Sequence, residues 1–213
     1  LESHNIPYDA IGRLEVGTES CVDRSKSIKS FLMRLFEEHG NTSIEGVDNT
    51  NACYGGTAAF FNSIAWMQSE AWDGRYAVVV ASDIASYTTR FHFSSAAAAV
   101  AILITPNARV VLEPMRATCM KDTYDFHKPV ADVQPFAHLD GPYSVQCYLE
   151  GFKQCSSILR TKLGVERLAE AMDYMVFHSP NTRLVRKALK SLLVSEKLKV
   201  GDLPRIFSEK VEQ

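Results

Sequence analysis

Asn51-Ala52-Cys53-Tyr54-Gly55-Gly56-Thr57 runs directly into Ala58-Ala59-Phe60-Phe61-Asn62-Ser63-Ile64. The first seven residues place a cysteine against two glycines. The next seven form a helix-forming run. Val47 leads a strand into this elbow, and the helix after it reaches about Gln68. A cysteine at a helix entrance meets free backbone N–H groups and the positive end of the helix dipole, which together stabilise a thiolate. Glycines there let a bulky acyl group come close to the backbone. The same cysteine could also pack as a small buried hydrophobe.

Working outward, Ile11-Gly12-Arg13-Leu14-Glu15-Val16-Gly17 reads as a strand ending in glycine. From Ser25 to Glu38, Ile28, Phe31, Leu32, Leu35 and Phe36 make the stripe of an amphipathic helix, stopped by Gly40. Asp73-Gly74 is a turn, and Tyr76-Ala77-Val78-Val79-Val80-Ala81 has the composition of a strand covered on both faces. Tyr87 to Ser95 reads as a loop, and Ala99–Ile104 and Arg109–Glu113 as strands. Lys128 to Pro142 reads as a surface loop. Helices are predicted over Ser144–Leu163 and Val165–Met172, then a buried strand Tyr174–Phe177. The last helix, opening near Pro180, carries Leu184, Val185, Ala188, Leu189, Leu192 and Leu193 on one side. Strands alternating with helices indicate a layered α/β fold.

The chain has 213 residues, 46% hydrophobic and 23% charged, with a formal net charge of −2. That balance suits one globular domain and gives no basic surface for nucleic acid. The apolar run Ser94–Ile104 is too short to span a bilayer, and the opening residues do not read as a signal peptide. Cys21, Cys53, Cys119, Cys147 and Cys155 are odd in number and contain no C-x-x-C pair. A disulfide framework or structural zinc site is not expected, and a reducing compartment is. The start at Leu1-Glu2-Ser3, without Met, suggests a fragment.

Glu15, Cys53 and His178 all fall at predicted strand ends, where sites assemble in open α/β folds. Glu15 could equally be a solvated carboxylate, and His178 a capping or core histidine. Together, a thiolate, a carboxyl group and an imidazole would suit condensation of thioesters, or hydrolysis by a cysteine nucleophile.

The elbow, with Ala58-Ala59, resembles the active-site motif of hydroxymethylglutaryl-CoA synthases. Ile11-Gly12-Arg13-Leu14-Glu15-Val16-Gly17-Thr18-Glu19 is similar to that family's catalytic-glutamate segment. Trp72-Asp73-Gly74-Arg75-Tyr76 with Ala81-Ser82-Asp83-Ile84-Ala85, and then Phe177-His178-Ser179-Pro180, match in the same order. The resemblance implies a thiolase-like αβαβα layered fold, of which residues 1–213 form one partial catalytic domain, usually in a homodimer. It implies condensation of acetyl-CoA with acetoacetyl-CoA and water, in the mevalonate route to sterols and isoprenoids, without metal or organic cofactor. Cys53 would carry the acetyl group, Glu15 would be the general base, and His178 would polarise the acetoacetyl-CoA carbonyl. Asp83 and Asp125 match supporting acidic positions. Gly55, Gly56 and Thr57 line the helix entrance. Arg183, at a lysine position of the family, and Lys187 and Lys190 would face CoA phosphates.

The chain departs from the family where a Gly-rich stretch is replaced by Arg90-Phe91-His92-Phe93-Ser94-Ser95-Ala96-Ala97-Ala98-Ala99. Family segments before and after the chain are also missing. The alternatives are a ketoacyl-synthase-type condensing enzyme, which lacks a Glu15-type segment, or a non-catalytic CoA-binding remnant. The resemblance fits a cytoplasmic or a mitochondrial location, with no nucleic-acid or membrane partner.

Overall fold

The computed structural model describes residues 1–20, 23, 25–128, 136–199 and 205–207, with backbone alone for 89–91 and 205–207. The single domain expected over 1–213 is drawn as two compact units, Leu1–Val111 and Leu112–Gln213.

The first unit is built on β1 (Ile11–Gly17), which lies inside a four-stranded sheet. Helices α1 (Ile28–Leu32) and α2 (Arg34–Glu37) follow, then β2 (Asp48–Asn49), α3 (Gly55–Met67), β3 (Tyr76–Ala85) and β4 (Ala96–Ile104). The sheet order is β2-β1-β3-β4. β1 runs parallel to β2 and β3, and β3 pairs antiparallel with β4.

Successive residues of a strand face opposite sides. Leu14 and Val78 therefore pack with Met33, Phe36 and Ile44 on one face. Glu15, Gly17 and Ala81 turn to the other, against α3. A bulge between Ile11 and Arg13 shifts the parity, which lets Ile11 join the first face. The predicted helix over Ser25–Glu38 is thus two short pieces meeting at Met33. Asp48 binds the first of them, accepting from the N–H groups of Ile28 at 2.7 Å and Lys29 at 2.9 Å.

Two strand readings change. The strand read over Ala99–Ile104 starts earlier, at Ala96: it is β4, pairing Ala96 with Ala85 through Ile104 with Ala77. Arg109–Glu113 forms no strand, and Val110 and Val111 stand 89% and 77% exposed. A β-branched run without a sheet neighbour gains nothing from its propensity.

The second unit begins with the two-stranded ladder of β5 (Phe126–His127) and β6 (His138–Leu139). Helix α4 (Gly141–Leu163) follows, then β7 (Tyr174–Val176), α5 (Thr182–Glu196) and β8 (Arg205–Phe207). Asp140 caps α4 through the Tyr143 N–H, and Asn181 caps α5 through the Leu184 N–H. The predicted loop over Lys128–Pro142 is cut short by β6 and by α4, which starts at Gly141; residues 129–135 lie outside the description. The predicted helix Val165–Met172 is a single turn, Leu168–Ala171. β7 buries only Met175, because Tyr174 and Val176 point outward. The apolar side of α5 buries Leu184, Val185, Ala188, Leu189 and Leu192 as its spacing predicts.

Candidate active site

The entrance of α3 rests on backbone. A Cβ on Gly17 would stand 2.2 Å from the Gly56 nitrogen, and one on Gly55 would stand 2.6 Å from the Asn49 carbonyl oxygen. Only glycine at these positions lets the helix seat directly on the ends of β1 and β2. Just before the helix, Ala52 takes φ 42°, a left-handed conformation uncommon for alanine. This turn presents Cys53 exposed, two residues before α3, rather than buried as a hydrophobe.

The thiol of Cys53 donates to Oε1 of Glu19 at 3.3 Å. Glu19 lies just beyond the end of β1. Its N–H donates to Oδ1 of Asp83 at 2.7 Å, and the same oxygen accepts from the hydroxyls of Thr18 at 3.2 Å and Ser20 at 3.1 Å. Asp83, near the end of β3, thereby fixes the three residues that carry Glu19 to the sulfur.

Glu15 occupies a different place. It is fully buried at the middle of β1, in register with Val79. Its Oε2 accepts from Nδ2 of Asn49 at 2.7 Å. Its Oε1 lies 2.6 Å from Nη2 of Arg13, an ion pair outside hydrogen-bond alignment. Arg13 also reaches Glu45 at 3.2 Å and lies over the Trp66 ring. Burial pushes the Lys29 ammonium below its ordinary pKa, and nearby Glu15 and Glu45 partly restore it. A buried carboxylate so enclosed has no path to a ligand, so the carboxylate at the sulfur is Glu19 and not Glu15.

Gly55 is buried at the helix entrance, and Thr57 is exposed on its first turn. Asn49 and Ser20 are further members of the site that sequence reasoning missed. Ser20 contributes both a donor to Asp83 and an acceptor for the Ile84 N–H, at 3.2 Å. Their signal was position: both flank strand ends beside the elbow.

The other candidates belong to the second unit. His178 is exposed between β7 and α5, and its carbonyl accepts from the Tyr148 hydroxyl at 2.9 Å. Burial pushes the Tyr148 phenol up. Asp125 accepts from the Thr123 hydroxyl at 2.8 Å, and its carbonyl accepts from the Asp140 N–H. Arg183, Lys187 and Lys190 are all exposed on α5, away from its buried stripe. Among the described residues no group of His, Cys, Asp or Glu could hold a metal ion, and no helix is long and apolar enough to cross a membrane. Cys119, Cys147 and Cys155 are free thiols, and Cys21 lies outside the description.

Comparison with known proteins divides the chain almost where the structure does. Residues 1–109 match the family model "Hydroxymethylglutaryl-coenzyme A synthase N terminal", and residues 110–204 match the corresponding C-terminal model. The cytoplasmic hydroxymethylglutaryl-CoA synthase of Mus musculus is 47% identical over 207 residues, which cover 92% of this chain and 40% of the relative. The mitochondrial enzyme of Sus scrofa is 46% identical, with 41% of it covered. Among solved structures, "MvaS in complex with 3-hydroxy-3-methylglutaryl coenzyme A" superposes with a TM-score of 0.80 at 32% identity, covering 92% of this chain and 49% of that one. The chain thus spans less than half the length of each of these three relatives.

Proposed function

The chain belongs to the hydroxymethylglutaryl-CoA synthase family, and from that premise we propose that its protein condenses acetyl-CoA with acetoacetyl-CoA and water. The products are 3-hydroxy-3-methylglutaryl-CoA and CoA. The observation that carries this reading is the hydrogen bond from the Cys53 thiol to Glu19 at the entrance of α3.

Cys53 attacks the acetyl-CoA thioester, and CoA leaves as its thiol, taking up the proton that Cys53 gives up. The helix entrance at Gly55, Gly56 and Thr57 favours the thiolate and the oxyanion of the tetrahedral intermediate. Once Cys53 is acetylated, its S–H is gone, and the Glu19 carboxylate faces the acetyl methyl group instead. It removes a methyl proton, giving an enolate whose carbon adds to the ketone of acetoacetyl-CoA. Glu19 then returns the proton to the new alkoxide. Water hydrolyses the remaining enzyme thioester. Asp83 holds Glu19 through its backbone N–H. His178 polarises the acetoacetyl carbonyl with support from Asp125, and Arg183 and Lys187 meet CoA phosphates through charge-assisted hydrogen bonds.

The reaction needs no metal or organic cofactor. It feeds isoprenoid and sterol synthesis by the mevalonate route, in a homodimeric enzyme. A cytoplasmic location follows the name of the mouse relative. The test is incubation of the full-length protein with radiolabelled acetyl-CoA, followed by denaturation and peptide mapping. Label on the Cys53 peptide supports the reading. A folded protein that takes no label refutes it and leaves a CoA-binding remnant.

A further inference from the structure

We propose that Glu15 is a positioning residue: its buried carboxylate locks Asn49, and Asn49 sets the distance between Cys53 and Glu19. The proposal rests on the reading of those two residues as the reacting pair.

Glu15 is fully buried, so it cannot touch substrate. What it touches is Asn49, 2.7 Å away on the last residue of β2. The Asn49 amide also donates to the Val16 carbonyl at 3.2 Å, and its side-chain oxygen accepts from Asn62 on α3 at 2.9 Å. The Asn49 backbone carbonyl accepts from the Thr18 N–H at 3.2 Å and forms the seat of Gly55. Asn49 is therefore held by β1 and α3 at once. Thr18, on one side of it, leads into Glu19; Asn51 and Ala52, on the other, lead into Cys53. The 3.3 Å contact between thiol and carboxylate closes across the two.

A neutral side chain at position 15 could pack this face. The anion adds orientation: an ionised acceptor binds the Asn49 amide about twice as strongly as a neutral one. Arg13 supplies the compensating charge within the sheet.

The readout is the rate at which iodoacetamide alkylates Cys53 in the full chain at pH 7, followed by peptide mapping. A carboxylate on the thiol disfavours its thiolate, so Glu19→Gln raises the rate on the order of tenfold. Asn49→Ala is expected to raise it on the order of threefold or more, and to add nothing in the Glu19→Gln background. Glu15→Gln, which keeps the shape of the side chain but weakens the acceptor for Asn49, is expected to raise the rate in the same direction as Asn49→Ala. Glu45→Gln, which removes the exposed partner of Arg13, leaves it unchanged. Should N49A fail to fold, N49S carries the same comparison. The proposal is overturned if folded N49A reacts at the parent rate, if its gain persists in the Glu19→Gln background, or if folded Glu15→Gln reacts at the parent rate. Acetyl transfer from acetyl-CoA is measured on the same proteins. A parent that is never acetylated defeats the function while the alkylation rates still decide the role of Glu15.

Discussion

Oδ1 of Asp83 accepts the backbone N–H of Glu19 at 2.7 Å, across 64 residues of sequence. The same atom binds the hydroxyls of Thr18 and Ser20, so one carboxylate oxygen orders the whole turn after β1. The proposed base is held by its backbone from β3, and its side chain accepts from the Cys53 thiol.

Asp83→Ala should therefore damage chemistry more than fold. Loss of a charged acceptor for a part-buried N–H costs about 1–3 kcal/mol. Urea unfolding should register that loss. Turnover in the full-length protein should fall further than stability explains, because Glu19 loses its orientation. Turnover at the parent level would show that Asp83 orders the turn without consequence for Glu19.

Gly17→Ala tests the seat of α3. Its methyl group would lie 2.2 Å from the Gly56 nitrogen and 2.3 Å from the Gly56 Cα, both backbone atoms that cannot rotate away. The helix entrance must shift, and overpacking of this kind costs about 1–3 kcal/mol. A lowered thermal midpoint together with lost Cys53 acetylation is expected. A variant that melts and acetylates like the parent would contradict the seating.

Glu196 anchors the second unit. It is 5% exposed at the end of α5, and its carboxylate accepts from the N–H groups of Leu168 at 3.0 Å and Ala169 at 3.3 Å. Glu196→Leu would leave two buried donors unpaired beside the cluster of Leu168, Met175 and Leu192. Destabilisation of about 2–4 kcal/mol in urea is expected. Unchanged unfolding would remove Glu196 from this capping role.

His178→Ala should weaken use of acetoacetyl-CoA while leaving acetylation of Cys53 intact. Steady-state kinetics with each substrate varied in turn would measure this. An unchanged apparent affinity for acetoacetyl-CoA would argue against the proposed role.

Much of this was readable from residue order. Cys53 beside two glycines identified the elbow, and the continuous apolar run Tyr76–Ala81 identified the strand next to β1. The stripe on α5 gave its buried face because helical spacing depends on local geometry alone. The choice between Glu15 and Glu19 was not readable in the same way. Both glutamates lie in one similar segment, two residues either side of Gly17, and only Glu15 was read as the reacting carboxylate. What separates them is the sheet: β1 has neighbours on both edges as far as Gly17, so position 15 is interior and position 19 lies past the last pair. Gly17-Thr18 marked that boundary in the sequence. Arg109–Glu113 failed for the opposite reason: its composition suits a strand, but strands form by pairing.

The central claim is that Glu19 serves Cys53 as its base. Its most direct test is product formation by full-length Glu19→Gln protein supplied with acetyl-CoA and acetoacetyl-CoA. Cys53 should still take label from acetyl-CoA, while hydroxymethylglutaryl-CoA formation falls by about 10²–10⁴-fold. Product formation at the parent rate would contradict the account.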